Sequence, residues 1–181
     1  WKNTVDNIPS LPKNTWCYHI EASTLDKATA YAVFDGHNNN DKTPYAYKTT
    51  DFGATWTNII TDEVEGIVRN IQVDYENPDL LFLGTELGLY ITLNSGEKWY
   101  KFTNNMPSVA THFIALQKQT NDLVLGTHGR GVIIIDDISP LRELNNKVMD
   151  KTLHFFNSKP TVIKETKSFS GGFGNETQFV G

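Results

Sequence analysis

Along the chain, short apolar runs alternate with polar breaks rich in Gly and Asn, and helical periodicity is never sustained. Residues 16–22, 30–34, 45–49 and 55–60 read as four short strands. The alternation returns at 68–73, 80–83, 89–92 and 98–102, and a third time at 112–116, 123–125 and 132–135. After Ile135 the pattern changes. Ser139 is placed to cap a short helix with Pro140 at its first position, so the sequence predicts a helix over 140–149. A late strand over 152–156 would then supply the edge that the third set lacks.

The sets are repeats of one another. Thr49-Thr50-Asp51-Phe52-Gly53-Ala54-Thr55-Trp56 and Thr92-Leu93-Asn94-Ser95-Gly96-Glu97-Lys98-Trp99 keep Thr, Asp or Asn, Gly and Trp at the same offsets, 43 positions apart. Asp79-Leu80-Leu81-Phe82-Leu83-Gly84-Thr85 recurs as Asp122-Leu123-Val124-Leu125-Gly126-Thr127, with 42 positions between Gly84 and Gly126. Periods of this length with four short strands per unit describe blades of a β-propeller. The expected fold is therefore all-β: about three blades of four-stranded antiparallel sheet, near 14–61, 66–103 and 109–157. They would form a partial propeller over 1–163 with one short C-terminal helix, followed by a flexible linker over 164–181. Three blades are too few to close a ring, so further blades of a parent protein, or another chain, are expected against the open flank.

The repeated turn has a physical logic. Asp51 and Asn94 can accept hydrogen bonds from turn amides, and Gly53 and Gly96 can take the positive φ that a tight hairpin requires. Thr49 and Thr92 open the turns. Trp56 and Trp99 start the next strand and are expected to be buried between blades.

This spacing resembles the Asp-box, or BNR, repeat of sialidases, xyloglucan-cleaving glycosidases and sortilin-type propellers. The stretch from Leu125-Gly126-Thr127-His128-Gly129-Arg130-Gly131 to Ser139-Pro140-Leu141-Arg142, with Asp35-Gly36-His37 and Pro44-Tyr45-Ala46-Tyr47, is similar to the closing part of large secreted bacterial proteins of the BNR-repeat, glycosyl hydrolase-like group. The resemblance implies an extracellular or periplasmic setting and Asp-box acids with structural rather than catalytic roles.

Composition narrows the function by exclusion. A formal net charge of −5 opposes nucleic acid or an anionic membrane as partner, and no apolar run is long enough to span a bilayer. The single Cys17 rules out an internal disulfide framework or a Cys-based zinc site, and reads as a buried, inert thiol. Glycine- and histidine-containing motifs of phosphate binding, esterases and metalloproteases are missing.

Blade connectivity places the loops at 37–44, 62–66, 86–87, 104–109 and 128–130 on one face and the Asp-box turns on the other. Four residues on the first face are candidates for ligand contact: His37, Glu86, His128 and Arg130. Glu86 with Asp62, Glu63 or Glu65 could form the carboxylate pair of a glycosidase, or these acids are simply solvated loop residues. His37 and His128 each adjoin a glycine; two histidines without a third ligand make a poor metal site, so neither metal nor cofactor is expected. Arg130, between two glycines, could clasp a carboxylate or link this blade to the next. Sialidases use three arginines around a substrate carboxylate; here the arginines are Arg69, Arg130 and Arg142, and the first and last fall in a strand and a helix. His19, His112 and His154 fall within expected strands and read as core or edge residues.

Two functions remain. One is a non-catalytic propeller segment, a scaffold and recognition surface for protein or glycan in a larger secreted protein. The other is part of a glycoside hydrolase whose remaining catalytic residues lie elsewhere. A purely structural domain without a ligand is a third reading.

Overall fold

A computed structural model describes residues 2–157. Eleven strands are arranged in three antiparallel sheets. The first has the order β1 (Trp16–Ala22), β2 (Ala30–Asp35), β3 (Tyr45–Thr49), β4 (Thr57–Asn58). The second repeats it with β5 (Val68–Val73), β6 (Leu81–Thr85), β7 (Gly88–Thr92) and β8 (Tyr100–Lys101). The third contains β9 (Thr111–Gln117), β10 (Asp122–Thr127) and β11 (Val132–Ile135). The fold is a stack of propeller blades, as the repeat requires.

The blades pack face to face, and the alternation of side chains decides which residues meet. Tyr31, Val33 and Ala46 from the first sheet join Ile71, Val73, Leu81, Leu83, Tyr90 and Trp99 from the second in one buried cluster. The opposite face of the second sheet, with Phe82, Leu89 and Ile91, meets Ile114, Leu123 and Leu125 of the third. Gly84 is dictated by this packing: a Cβ there would stand 2.5 Å from the Thr111 carbonyl oxygen of the next blade.

Both repeated turns have the same hydrogen bonds. The hydroxyls of Thr49 and Thr92 donate to Asp51 and Asn94 at 2.8 Å and accept from the Gly53 and Gly96 amides at 2.9 and 3.0 Å. Asp51 Oδ1 and Asn94 Oδ1 accept from Thr55 N and Lys98 N at 2.8 and 3.0 Å. Two consecutive left-handed residues make each turn, Phe52-Gly53 and Ser95-Gly96. The tryptophans differ, however. Trp99 is fully buried and its Nε1 donates to the Ile59 carbonyl at 2.6 Å. Trp56 is only half-buried, against Ala32, Phe34 and Tyr47, and its Nε1 is buried without a hydrogen-bond partner. Trp99 has a preceding sheet to enter, whereas Trp56 has only the segment around Ile8 and Leu11.

Three other expectations are corrected. Strands β4 and β8 are two residues long because the flanking residues serve the turn and the tryptophan leaves the ladder to pack on the sheet face. The helix over 140–149 is two short ones, α1 (Ser139–Glu143) and α2 (Asn146–Met149), separated where Leu144 turns extended. Residues 152–156 form no strand, so the third sheet has three strands, and His154 packs against Phe156 and Glu143 instead. In place of a third Asp-type turn, Ile138 and Leu141 pack against Leu93, Phe102 and Met106. The expected linker over 164–181 lies outside the described residues.

Arg142, on α1, ties this replacement down. Its Nε and Nη2 donate to the two carboxylate oxygens of fully buried Asp74, each at 2.8 Å, and Nη1 donates to Asn121 at 3.0 Å. The guanidinium lies over the Tyr75 ring, 4.7 Å from its centroid.

Candidate functional site

The first strand of every sheet carries a bulge at the same place. Register shifts fall between Cys17 and His19, between Val68 and Asn70, and at the Thr111 end of β9. The extra residues are Tyr18, Arg69 and His112. A bulge re-aims a side chain that would otherwise follow the pleat. Here it brings three such side chains to one end of the stack, beside the β2–β3, β6–β7 and β10–β11 loops. The repeated turns lie at the opposite end, because β3 and β7 run from these loops to those turns.

Arg69 is the centre of the site. Its Nη1 donates to Asp35, from the end of β2, and its Nη2 to Glu86, from the β6–β7 loop. The Tyr18 ring lies against the guanidinium, 5.0 Å from centroid to Cζ, a cation–π contact. Asp35 is buried and also accepts from the His37 amide at 2.8 Å and meets the His37 ring at 2.8 Å. Burial pushes the Asp35 carboxyl up, but the His37 amide and ring and the Arg69 guanidinium outweigh it and hold it below the ordinary range. Asp35 thus orients an exposed imidazole on one side and neutralises a guanidinium on the other.

His112 and His128 stack, with centroids 5.7 Å apart and planes 18° from parallel. Burial, then the charges of Arg69 and His128, lower the His112 pKa, with Glu86 opposing. The loops bearing Glu86 and His128 are anchored alike: Glu86 N donates to Ile67 O at 3.1 Å and His128 N to Ala110 O at 2.9 Å. Glu86 and His128 therefore occupy the same position in successive blades. An open cleft of about 360 Å³ lies against His112, His128, Phe113 and Val132.

Of the four residues singled out in the sequence, His37 meets Asp35 and Glu86 meets Arg69 in one cluster, while His128 stacks on His112, which feels the Arg69 charge. Arg130 stands apart; it is exposed and has no ion pair among the described residues. The other loop acids do not join the cluster. Glu65 lies 3.7 Å from Lys101, and Glu63 is exposed. Sequence reasoning passed over Tyr18, Arg69 and His112 because they read as ordinary strand positions. A bulge leaves no mark in a single strand's alternation, although Arg69 and His112 stand 43 positions apart, the period of the repeated turn. Cys17 is half-buried, with its thiol pKa raised by burial. No group of three or more metal-ligating side chains occurs among the described residues. No helix among them is long and apolar enough to cross a membrane.

Neither a family model nor a curated protein matches the chain. Solved structures do. A GH74 enzyme of Niastella koreensis superposes with a TM-score of 0.55 at 20% identity, over 67% of this chain and 21% of that one. A GH74 xyloglucanase of Xanthomonas campestris gives 0.54 at 14% identity, over 70% of this chain and 22% of that one. An ancestral GH74 enzyme gives 0.52 at 18% identity, over 63% and 14%. The chain thus spans about a fifth of these enzymes or less, and at such identities the likeness establishes the propeller-type fold.

Proposed function

We propose that this chain is a non-catalytic stretch of a larger Asp-box propeller, working outside the cytoplasm as a scaffold whose bulge-bearing face recognises a glycan or polypeptide. One observation carries the reading: Arg69 engages Asp35 and Glu86 together. A glycosidase needs a protonated carboxyl and a free carboxylate roughly 5–10 Å apart with the sugar between them. In this chain Asp35 and Glu86 share one guanidinium, and Asp35 is buried and held ionised. What the face offers a ligand is Tyr18, His37, His128 and the half-exposed Glu86, a set suited to hydrogen bonding and ring stacking.

The second reading, a share of a glycoside hydrolase site, draws on that half-exposed Glu86 and on the xyloglucanase fold likeness. One screen separates the two. The full chain is presented to a glycan array and a set of soluble polypeptides, and incubated with xyloglucan and other β-glucans. Binding that weakens at least about tenfold, or 1.4 kcal/mol, in His128→Ala, with no release of reducing ends, is the expected result. Release of reducing ends that disappears in Glu86→Gln would establish the hydrolase instead.

A further inference from the structure

The bulges align two rows of side chains across the three sheets. In each sheet the residue before the bulge pairs with the second strand: Cys17 with Phe34, Val68 with Thr85, Thr111 with Thr127. The residues that follow those partners, Asp35, Glu86 and His128, are therefore equivalent, as are the bulged Tyr18, Arg69 and His112. Arg69 shows what one interval of this pattern holds. It reaches Glu86 of its own sheet and Asp35 of the sheet before, so a guanidinium joins two loop residues. By the same repeat, His112 belongs between His128 of its own sheet and Glu86 of the sheet before.

That second interval is only partly filled. His112 stacks on His128 and feels the Glu86 charge, but it forms no hydrogen bond with Glu86. Glu86 Oε1 accepts from Arg69, whereas Oε2 accepts no hydrogen bond from any described residue, and the side chain is 40% exposed. Its equivalent Asp35 is 2% exposed and is engaged by Arg69 and by the His37 amide and ring. Arg130, exposed on the β10–β11 loop, makes no ion pair among the described residues.

The vacant position calls for a cation. Asp35 and Glu86 set two negative charges against the one positive charge of Arg69, and Asp62, Glu63 and Glu65 lie on the β4–β5 loop at the same end. An excess of negative charge repels acidic ligands and attracts basic ones. Beside Glu86, the stacked imidazoles of His112 and His128 offer flat rings, and planar guanidinium groups lie on such surfaces, as Arg69 does on Tyr18. Both walls of this interval are described sheets, so it does not depend on what adjoins the first sheet or the third.

We propose that the interval between Glu86 and His128 is a binding site for an arginine side chain of a polypeptide partner. The guanidinium donates to Glu86 Oε2 and lies against the His112–His128 pair, repeating from outside what Arg69 does from within between Asp35 and Glu86. The assignment rests on the reading that the bulge-bearing face recognises a ligand, and narrows that ligand to a polypeptide with an exposed arginine.

The test uses the full chain and two peptides, Ala-Gly-Arg-Gly-Ala and the same sequence with citrulline, which keeps the shape of arginine without its charge. Calorimetry is expected to show that the citrulline peptide binds about tenfold more weakly or worse, the size of a lost charge-assisted hydrogen bond. Glu86→Gln will weaken the arginine peptide to the same extent. Glu97→Gln makes the same change of charge at the opposite end and will leave binding unaltered. His112→Arg supplies an internal guanidinium where the ligand would sit, and will abolish binding. Circular dichroism and melting confirm that each variant is folded. Equal affinity for the two peptides, undiminished binding by the Glu86→Gln or His112→Arg variant, or an equal loss in Glu97→Gln would overturn the inference. Binding of a glycan that His128→Ala weakens, with no preference for the arginine peptide, would overturn it and leave the recognition face standing. Absence of any ligand would remove both.

Discussion

Replacing Trp99 with alanine will lower the free energy of unfolding by about 3–5 kcal/mol, the usual cost of deleting a buried aromatic. The indole lies in the seam between the first and second sheets, in one buried cluster with Tyr31, Val33, Ile59 and Leu83. Its removal opens a cavity there and also strips the Ile59 carbonyl of its donor in a buried setting. Trp56→Ala is the internal control. It stands at the same repeat position but is half-buried and makes no Nε1 hydrogen bond, so its loss will be distinctly smaller. Urea unfolding of both variants, with similar m-values, checks the difference. Equal losses would mean that Trp56 is covered as fully as Trp99.

The second large effect is expected at Arg142. Removing one partner from a buried ion pair leaves an uncompensated charge, which typically costs about 3–5 kcal/mol. Asp74 is fully buried and receives two hydrogen bonds from Arg142, so Arg142→Ala leaves its carboxylate with only the Glu76 and Asn77 amides. Arg142→Lys will recover little, because a single ammonium cannot reproduce the two-pronged contact or lie flat on Tyr75. Urea unfolding measures both variants; a loss below about 1 kcal/mol, the range of exposed pairs, would show that solvent reaches Asp74.

The repeat made the blades legible. Strand alternation gave the sheets, and the recurrence of Thr, Asp or Asn, Gly and Trp gave the turns with their hydrogen bonds. Local chemistry of that kind is written in neighbouring residues. The fate of the third blade was not, because Ile138 and Leu141 replace a turn and a tryptophan through contacts with residues about 30 to 45 positions away. The difference between Trp56 and Trp99 was hidden for the same reason: identical local sequence, unlike neighbours. In the candidate site, His37, Glu86 and His128 were visible as polar residues at loop positions fixed by the repeat. Arg69 was discounted as a strand residue, and only the bulge explains how it reaches two carboxylates from different blades.

The claim on which the functional reading rests is that Arg69 and the acids it holds serve as a clamp between blades. A double-mutant cycle of Asp35→Asn and Arg69→Met, followed by urea unfolding, tests it most directly. Coupled neighbours give interaction energies of about 0.5–3 kcal/mol. Because both side chains are largely buried, the account predicts a favourable coupling in the upper half of that range. A coupling indistinguishable from zero, with Asp35→Asn leaving stability unchanged, would contradict the clamp and return Glu86 to candidacy as a glycosidase carboxylate.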